Sequence, residues 1–218
     1  MAHLPKILVA GYGPWAKAEN NPAAQTVEEL RKRDWRHCDV SFHVLPVRSD
    51  SLASKVNALL EDHRPDAWIG IGVSDAGIIQ PEMVGINWRH FGVPDVAGAT
   101  FDKTPILTGG PDAYNATLPN AKLVDAVIRA GIPAALSFHA GTHLCNQMLY
   151  TAAHLISQRG MSTLQGFIHV PQTPGNIAMT ERREAQVPSM SLPMITEAIA
   201  ICIDTLTEEL TTQQPLSA

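Results

Sequence analysis

Short apolar runs that alternate with helical repeats are the feature of this sequence that most restricts its fold. Five runs have the length and composition of buried strands, and in chain order they are Lys6–Ala10, Val40–Leu45, Ala67–Ile71, Pro133–Phe138 and Leu164–Val170. Strands that are mostly apolar, rather than alternately polar, are typical of parallel sheets covered on both faces. The alternation with helices therefore predicts an α/β fold built on a mostly parallel central sheet.

The helical segments carry start signals. Asn20-Asn21-Pro22 is a typical helix start, because asparagine caps free amides and proline fits the first turn. Ser49 or Asp50 is the expected cap of the second helix, whose apolar residues recur with helical spacing over Leu52–Leu60. The remaining predicted helices are Ala23–Arg33, Asn120–Ala130, Cys145–Gln158 and Leu192–Leu210.

Two stretches depart from this alternation. Pro81–Pro119 holds one strand-like run, Met83–Trp88, among turn residues, so we expect a hairpin or an excursion there. Pro171–Pro188 is long, polar and without periodicity. Loops of this length are usually functional or mobile, and length alone does not separate a lid from a disordered excursion.

Composition restricts the class of protein. The 218 residues suit a single domain spanning residues 1–218, and 45% of them are hydrophobic, which excludes a disordered chain. The longest apolar runs, such as Ala198–Ile203, are far shorter than the roughly 18 residues of a membrane span. The net charge of −5 argues against nucleic acid or an anionic membrane as the main partner.

The compartment is predicted from the N-terminus and from the cysteines. The first six residues, Met1–Lys6, lack the charged-then-apolar layout of a secretory signal. Cys38, Cys145 and Cys202 are widely spaced and odd in number, so a disulfide framework is not expected. We therefore expect a cytoplasmic protein.

Two ligand motifs are present only in a weak form. Gly11–Ala16 loosely matches the dinucleotide-binding fingerprint, but Pro14 removes an amide and the helix starts too late to face a pyrophosphate. His139 and His143 have a metal-pair spacing, but they flank a loop sequence and have no third ligand nearby. The sequence thus predicts neither a metal nor a cofactor, and it contains no Gly-x-Ser-x-Gly motif of a serine hydrolase.

The strongest chemical signal is Cys145 in the run Ala140–Asn146. It follows a predicted strand and lies in the first turn of a predicted helix, where free amides and the helix dipole favour a thiolate. The same amides are suited to hold an oxyanion. A free cysteine is more often a small buried hydrophobe, so the motif alone leaves both interpretations open.

A nucleophilic thiolate needs a base and a group that orients the base. His169 ends a predicted strand, and we expect that strand to lie beside the one leading to Cys145, with both ends at one edge of the sheet. Glu82 precedes the strand-like run and offers a carboxylate that holds an imidazole tautomer. Without further information, His169 is equally a core histidine and Glu82 an ordinary exposed side chain.

At these motifs the chain resembles pyroglutamyl peptidase I, a family of cysteine peptidases. Four motifs in the family's order carry the resemblance, and they are Gly11–Trp15 with Asn21-Pro22, Pro81–Asn87, Gly131–Asn146 and Gly166–Pro171. The resemblance implies a three-layer α/β/α sandwich and a triad of Cys145, His169 and Glu82. It further implies that the chain, without metal or cofactor, releases the N-terminal pyroglutamyl residue from small peptides.

The resemblance also implies a substrate pocket and an assembly state. Tyr12 and Trp15 take the places of two phenylalanines that enclose the lactam ring, and Val93, His143 and Leu144 complete the implied binding residues. Aromatic walls suit a small, flat and mostly apolar ring. The family is typically cytosolic and often tetrameric, so a homo-oligomer is expected.

Departures from the family pattern concern the groups around the triad. Gly72–Gly77 lacks the family's glutamine and arginine, and Gly92 stands where the family carries an arginine thought to assist the oxyanion. Arg89 is near in sequence, but its odd offset from Gly92 directs it to the other strand face. Losing one oxyanion donor typically costs about 3–4 kcal/mol in the transition state.

Three hypotheses follow from the sequence. The first is a cysteine peptidase that removes N-terminal pyroglutamate. The second keeps the thiol hydrolase but changes the substrate to another small amide or lactam, because of Val73, Gly92 and Trp15. The third is a non-catalytic binding protein with the same fold, in which Cys145 would show no enhanced reactivity.

Overall fold

The computed structural model describes residues 4–15, 18–179 and 186–213 as an α/β/α sandwich. The strands are β1 Lys6–Tyr12, β2 Asp39–Leu45, β3 Ala67–Val73, β4 Gln80–Pro81, β5 Val84–Ile86, β6 Arg89–Phe91, β7 Phe101–Thr104, β8 Ala113–Asn115 and β9 Leu164–Val170. The helices are α1 Pro22–Arg31, α2 Ser49–His63, α3 Asn120–Arg129, α4 Leu144–Gln158, α5 Pro174–Met179 and α6 Leu192–Gln213.

The central sheet has the strand order β2-β1-β3-β9-β4. All neighbouring pairs are parallel except β4, which runs antiparallel to β9. Successive residues of a strand face opposite sides of a sheet, so each central strand contributes to two cores. One core joins the sheet to α1, α3 and α6, and the other joins it to α2 and α4. The predicted fold class, a mostly parallel sheet covered on both faces, is confirmed.

Most predicted elements are confirmed to within a few residues. Asn21 is the N-cap of α1, where its side chain accepts a hydrogen bond from the Ala23 amide, and Pro22 is the first helical residue. The region Pro81–Pro119 is an excursion from the sheet, as expected. It contains two small antiparallel pairs, β5 with β8 and β6 with β7.

The predicted cap of α2 was wrong. Ser49 lies inside the helix, Arg48 occupies the N-cap position, and no side chain of the cap residue bonds the first turn. The carboxylate of Asp95 instead accepts a hydrogen bond from the Ser49 amide at 2.8 Å. The capping group thus comes from a loop distant in sequence, which local pattern does not reveal.

The predicted strand Pro133–Phe138 is also absent as a regular strand. Its residues form only two isolated bridges, Ala134 with Ile79 and Ser137 with Glu82. Both bridges are parallel to the β4 segment, which separates Pro133–Phe138 from β9. The expectation that β9 lies directly beside the segment leading to Cys145 was therefore wrong, and the intervening position is occupied by the stretch that carries Glu82.

The loop predicted as a lid or a disordered excursion is partly helical. It contains the short helix α5, none of whose residues is buried, while residues 180–185 lie outside the described part of the chain. Among the described helices, none is both long and apolar enough to cross a membrane.

Candidate active site

Cys145 is the second residue of α4, at the carboxyl edge of the central sheet. The first amides of a helix have no acceptor within it, and His143 at the N-cap supplies no side-chain cap. Space for the sulfur comes from Gly72 in β3, where an added Cβ would lie 2.8 Å from Cys145 Sγ. The local sequence therefore places a partly exposed thiol at a helix N-terminus, against a strand without a side chain.

His169 and Glu82 form a buried pair next to this thiol. His169 lies in β9 directly opposite Gly72, and its Nδ1–H donates to Glu82 Oε1 at 2.6 Å. The side chains are 7% and 1% exposed respectively. Because Glu82 holds Nδ1, the other ring nitrogen, Nε2, faces Cys145.

The electrostatics of His169 follow from these two neighbours. Burial alone lowers the pKa of its imidazole, but the charge and hydrogen bond of Cys145, together with Glu82, outweigh burial and raise the pKa to about 10. The His169 imidazolium therefore keeps its proton at neutral pH, between the carboxylate of Glu82 and the sulfur of Cys145.

Three segments hold the backbone of Glu82 in place. The Glu82 amide donates to the Phe167 carbonyl in β9 at 2.9 Å, and Ser137 bridges Glu82 from the other side. Asn120 at the start of α3 donates its Nδ2–H to the Glu82 carbonyl at 2.9 Å. Three separate segments therefore hold the orienting group, although only its own motif is visible in sequence.

A cavity of about 470 Å³ opens above Cys145 at the carboxyl ends of the parallel strands. Its apolar lining includes Tyr12, Trp15, Val47, Val73, Phe91, Val93 and Leu144, together with the ring of His143. Its polar lining includes Asn20, Asn21, Ser74, Asp75, Gln172 and Asn176. All five substrate-binding residues implied by the resemblance, Tyr12, Trp15, Val93, His143 and Leu144, thus lie at this cavity.

Three rings close one end of the cavity. His143 packs against Trp15 and Phe91 with ring centroids 4.7 and 4.0 Å away. Trp15 Nε1–H donates to the Pro94 carbonyl at 2.8 Å, and His143 Nε2 lies 3.2 Å from the Val93 carbonyl. Burial lowers the pKa of His143, although the Val93 hydrogen bond and Asp95 act in the opposite direction. The neutral ring therefore extends the aromatic wall.

Tyr12 and Leu144 form the floor of the cavity beside the thiol. The hydroxyl of Tyr12 donates to the Leu144 carbonyl at 2.7 Å, which ties the end of β1 to the start of α4. Burial, and then the nearby charge of Cys145, raise the pKa of Tyr12 well above its ordinary value. The phenol is therefore a neutral structural donor.

The structure locates Gly92 and Arg89, which bear on the missing arginine of the family pattern. Gly92 lies in the cavity wall, and an added Cβ there would meet no atom within 4 Å. Arg89 points elsewhere, as predicted: it donates to Ser49 and to the Pro105 carbonyl and packs over the ring of Phe101. Neither residue places a guanidinium in the cavity. Within the described residues, no group of three or more metal-binding side chains is present.

Several cavity residues were missed by reasoning from the sequence. Phe91, Gln172 and Asn176 line the cavity, yet each comes from a short element or a loop without periodicity. The Gly-x-Gly pair of Gly70 and Gly72 carried a usable signal, because glycine inside a strand marks a close approach.

Comparison with known proteins agrees with the fold and with the site. Residues 5–209 match the sequence model of the family described as pyroglutamyl peptidase. A pyrrolidone-carboxylate peptidase from Thermococcus kodakarensis is 35% identical over 94% of this chain and 98% of the relative. One from Coprothermobacter proteolyticus is 30% identical over 94% and 98% of the two chains.

Solved structures give the same result at the level of the backbone. The pyrrolidone carboxyl peptidase of Pyrococcus furiosus superimposes with a TM-score of 0.88 at 33% identity, covering 94% of this chain and 99% of the other. The likeness spans nearly the whole of both chains. The residues matched by the family model, 5–209, include the segments that carry Cys145, His169 and Glu82. The chain belongs to the pyroglutamyl peptidase family of cysteine peptidases.

Proposed function

We propose that this protein hydrolyses the peptide bond that follows an N-terminal pyroglutamyl residue, with Cys145 as nucleophile, His169 as acid and base, and Glu82 as the group that orients His169. The observation that carries the proposal is the buried contact of 2.6 Å between His169 and Glu82, next to the thiol and below an open cavity. A purely structural cysteine needs no such pair behind it.

The chemistry divides into two steps. The Cys145 thiolate attacks the carbonyl carbon of the pyroglutamyl residue, and the His169 imidazolium gives its proton to the departing amine as the C–N bond breaks. Water then attacks the thioester, with His169 taking one proton of the water, and pyroglutamic acid leaves as the Cys145 thiolate and the His169 imidazolium are restored. Each proton thus passes through His169 Nε2, which Glu82 keeps in position through Nδ1.

The developing oxyanion is assigned to the amides of the first turn of α4. The Cys145 amide lies in that turn, where the helix dipole also favours negative charge. Because Gly92 contributes no side chain, these amides bear more of the stabilisation than they would beside a guanidinium. We therefore expect a turnover limited by oxyanion stabilisation.

The aromatic end of the cavity is assigned to the lactam ring. Trp15, Phe91 and His143 present ring faces there, and Val93 adds an aliphatic contact. A five-membered lactam is flat and mostly apolar, and burial against such walls is favourable.

The test is hydrolysis of pyroglutamyl-aminomethylcoumarin by the wild type and by Cys145→Ala. We expect the substitution to lower kcat roughly 10⁴-fold or more, with Cys38→Ala as a matched control that changes a buried cysteine outside the site. Equal rates for wild type and Cys145→Ala would refute the assignment. Alkylation at Cys145 without cleavage of any pyroglutamyl amide would favour another small lactam or amide as the substrate.

We also propose that the chain is one catalytic domain that assembles into a homo-oligomer in the cytoplasm. Exposed apolar side chains, among them Trp88, Val96 and Phe138, support self-association. A thiol nucleophile works only when reduced, which suits the cytoplasm. Light scattering after gel filtration tests the assembly, and a monomer at micromolar concentration would refute it.

A further inference from the structure

The cavity has two chemically different ends on either side of the thiol. It runs along the carboxyl edge of the sheet, from Val47 and Trp15 after β2 and β1 to Gln172 after β9. Cys145 lies between these ends, since its sulfur packs against Gly72 in β3, the strand between β1 and β9. If the acyl group occupies the aromatic end, the leaving chain must extend toward the end formed by β9 and α5.

At that end the side chains of Gln172 and Asn176 form a pair. Asn176 Nδ2–H donates to Gln172 Oε1 at 2.6 Å. Their backbones are held in place: the Gln172 carbonyl accepts from the Met190 amide at 2.9 Å, and Thr173 Oγ1 accepts from the Asn176 amide at 3.2 Å. The pair is thus positioned by its own loop rather than by contact with the triad.

The pairing leaves part of the hydrogen-bonding capacity of both side chains unused at the cavity. Among the described residues, neither Gln172 Nε2 nor Asn176 Oδ1 has another partner, and both side chains line the cavity. Two side-chain amides joined by one hydrogen bond keep one NH2 group and one carbonyl oxygen outside that bond, whichever of the two amides is the donor. A peptide group offers the complementary set, one carbonyl and one N–H.

We propose that Gln172 and Asn176 form a subsite for the leaving chain, binding the first intact peptide group beyond the bond that is cleaved. The inference rests on the proposed function and extends it to the substrate class. The preferred substrates are then pyroglutamyl peptides of three or more residues, because a pyroglutamyl arylamide or dipeptide lacks that peptide group.

The experiment compares two substrates on the same enzymes. We measure kcat/KM for pyroglutamyl-Ala-Ala-amide and for pyroglutamyl-aminomethylcoumarin with the wild type, Gln172→Ala, Asn176→Ala and the double variant. Met179→Ala is the matched control, since Met179 lies on α5 but is 87% exposed and does not line the cavity. We expect each single variant to lower kcat/KM for the peptide roughly 10-fold, as for a lost hydrogen bond to a ligand.

The arylamide and the control separate the possible outcomes. Arylamide hydrolysis within about twofold of the wild type, and a double variant little worse than either single one, support a subsite that acts as a unit. Equal losses on both substrates overturn the subsite and make the pair part of the general site structure. No loss on the peptide overturns it as well, whereas a wild type inactive on both substrates overturns the proposed function itself.

Discussion

At the scale of single residues, the position of Cys145, the proposed nucleophile, depends on the absence of a side chain at Gly72. An added Cβ there would lie 2.8 Å from Cys145 Sγ and 2.6 Å from the ring of Phe167. Both neighbours are packed into the second core, so neither can move freely. Overpacking of this kind typically costs about 1–3 kcal/mol.

We expect Gly72→Ala to displace the thiol from His169 and to abolish most of the peptidase activity. Its free energy of unfolding should fall by about 1–3 kcal/mol, as measured in urea. Gly175→Ala is the matched control, because a Cβ at Gly175 meets nothing within 4 Å. Wild-type activity in Gly72→Ala would show that the sulfur does not need this position.

The charge on His169 makes a second prediction at this scale. Its pKa is raised to about 10, so the imidazolium stays protonated between pH 6.5 and 8.5, where an ordinary histidine is losing its proton. That positive charge lies next to the Cys145 sulfur, which it hydrogen-bonds, and it is present at both ends of the range. We therefore expect the rate of iodoacetamide alkylation to fall less than about 10-fold from pH 8.5 to 6.5.

In His169→Asn the same rate should fall roughly 50-fold, as it does for an unassisted thiol. The other two cysteines serve as internal controls, because burial raises the pKa of Cys38 and raises that of Cys202 to about 12. Mass spectrometry assigns the alkylated site. Parallel pH profiles for wild type and variant would contradict the assignment of an ion pair.

Gly92 offers a gain-of-function prediction. The residue lies in the cavity wall with open space beside it, and its φ is outside the left-handed region, so a long side chain is accommodated. A guanidinium reaching the oxyanion would restore a donor worth roughly 10²- to 10³-fold in kcat. We expect Gly92→Arg to raise kcat on pyroglutamyl-aminomethylcoumarin, while Gly92→Met, of similar length without charge, does not. If the two variants changed kcat equally, or if neither changed it, the α4 amides would be sufficient to stabilise the oxyanion.

At the scale of helices and strands, the inner strands of the central sheet were predictable because they are buried on both sides. Burial favours apolar residues along most of their length, and the predicted strand Leu164–Val170 coincides with β9 even though Gln165 and His169 are buried in it. The start of α1 was equally visible, since its cap is supplied locally by Asn21. Caps that come from distant segments were not visible, as with Asp95, whose carboxylate accepts from the Ser49 amide of α2 although the helix itself was predicted.

The candidate site shows the same distinction between residues marked by local sequence and residues placed by the fold. Cys145, His169 and Glu82 were found because each lies in a motif at the end or start of a regular element. The amide pair of Gln172 and Asn176 was not found, since polar residues in an aperiodic loop do not differ locally from ordinary surface residues. Only the fold brings that loop to the cavity.

Asn146 joins α4 to the excursion that forms part of the cavity wall. Its side chain accepts from the Ile86 amide and donates to the Ile86 and Trp88 carbonyls. The residue is 1% exposed, so its removal leaves backbone groups without partners. We expect Asn146→Ala to lower the free energy of unfolding by roughly 2–4 kcal/mol and to speed amide exchange over residues 84–91.

The matched control for this helix-to-strand contact is Asn57→Ala on α2, where the side chain bonds only Arg159 and Glu61 near the surface. Its effect should stay within about 1 kcal/mol. Unchanged exchange over residues 84–91 in Asn146→Ala would mean that the excursion is held by its own strand pairs instead.

At the scale of the whole molecule, the two cores share the same strands. In β1, Ile7 and Val9 face the core that includes α6, whereas Leu8 and Ala10 face the core that includes α4. Losing either helical layer would expose one face of strands that the other layer needs in place. This arrangement supports one cooperative domain, with the active site dependent on helices that do not touch it.

Ile199 in α6 tests that coupling, because it is fully buried in the core opposite the active site. We expect Ile199→Ala to lower the free energy of unfolding by about 2–5 kcal/mol. Three urea transitions should shift together: far-ultraviolet circular dichroism, alkylation of buried Cys202, and fluorescence of buried Trp68 in a background where the other three tryptophans are replaced by phenylalanine. Ile128→Ala, at a position 51% exposed on α3, should change stability by less than about 1 kcal/mol. Trp68 reports the core on the α4 side, and Cys202 reports the core on the α6 side. If Cys202 became reactive at lower urea while Trp68 kept its wild-type midpoint, the two layers would unfold separately. That result would refute the single domain.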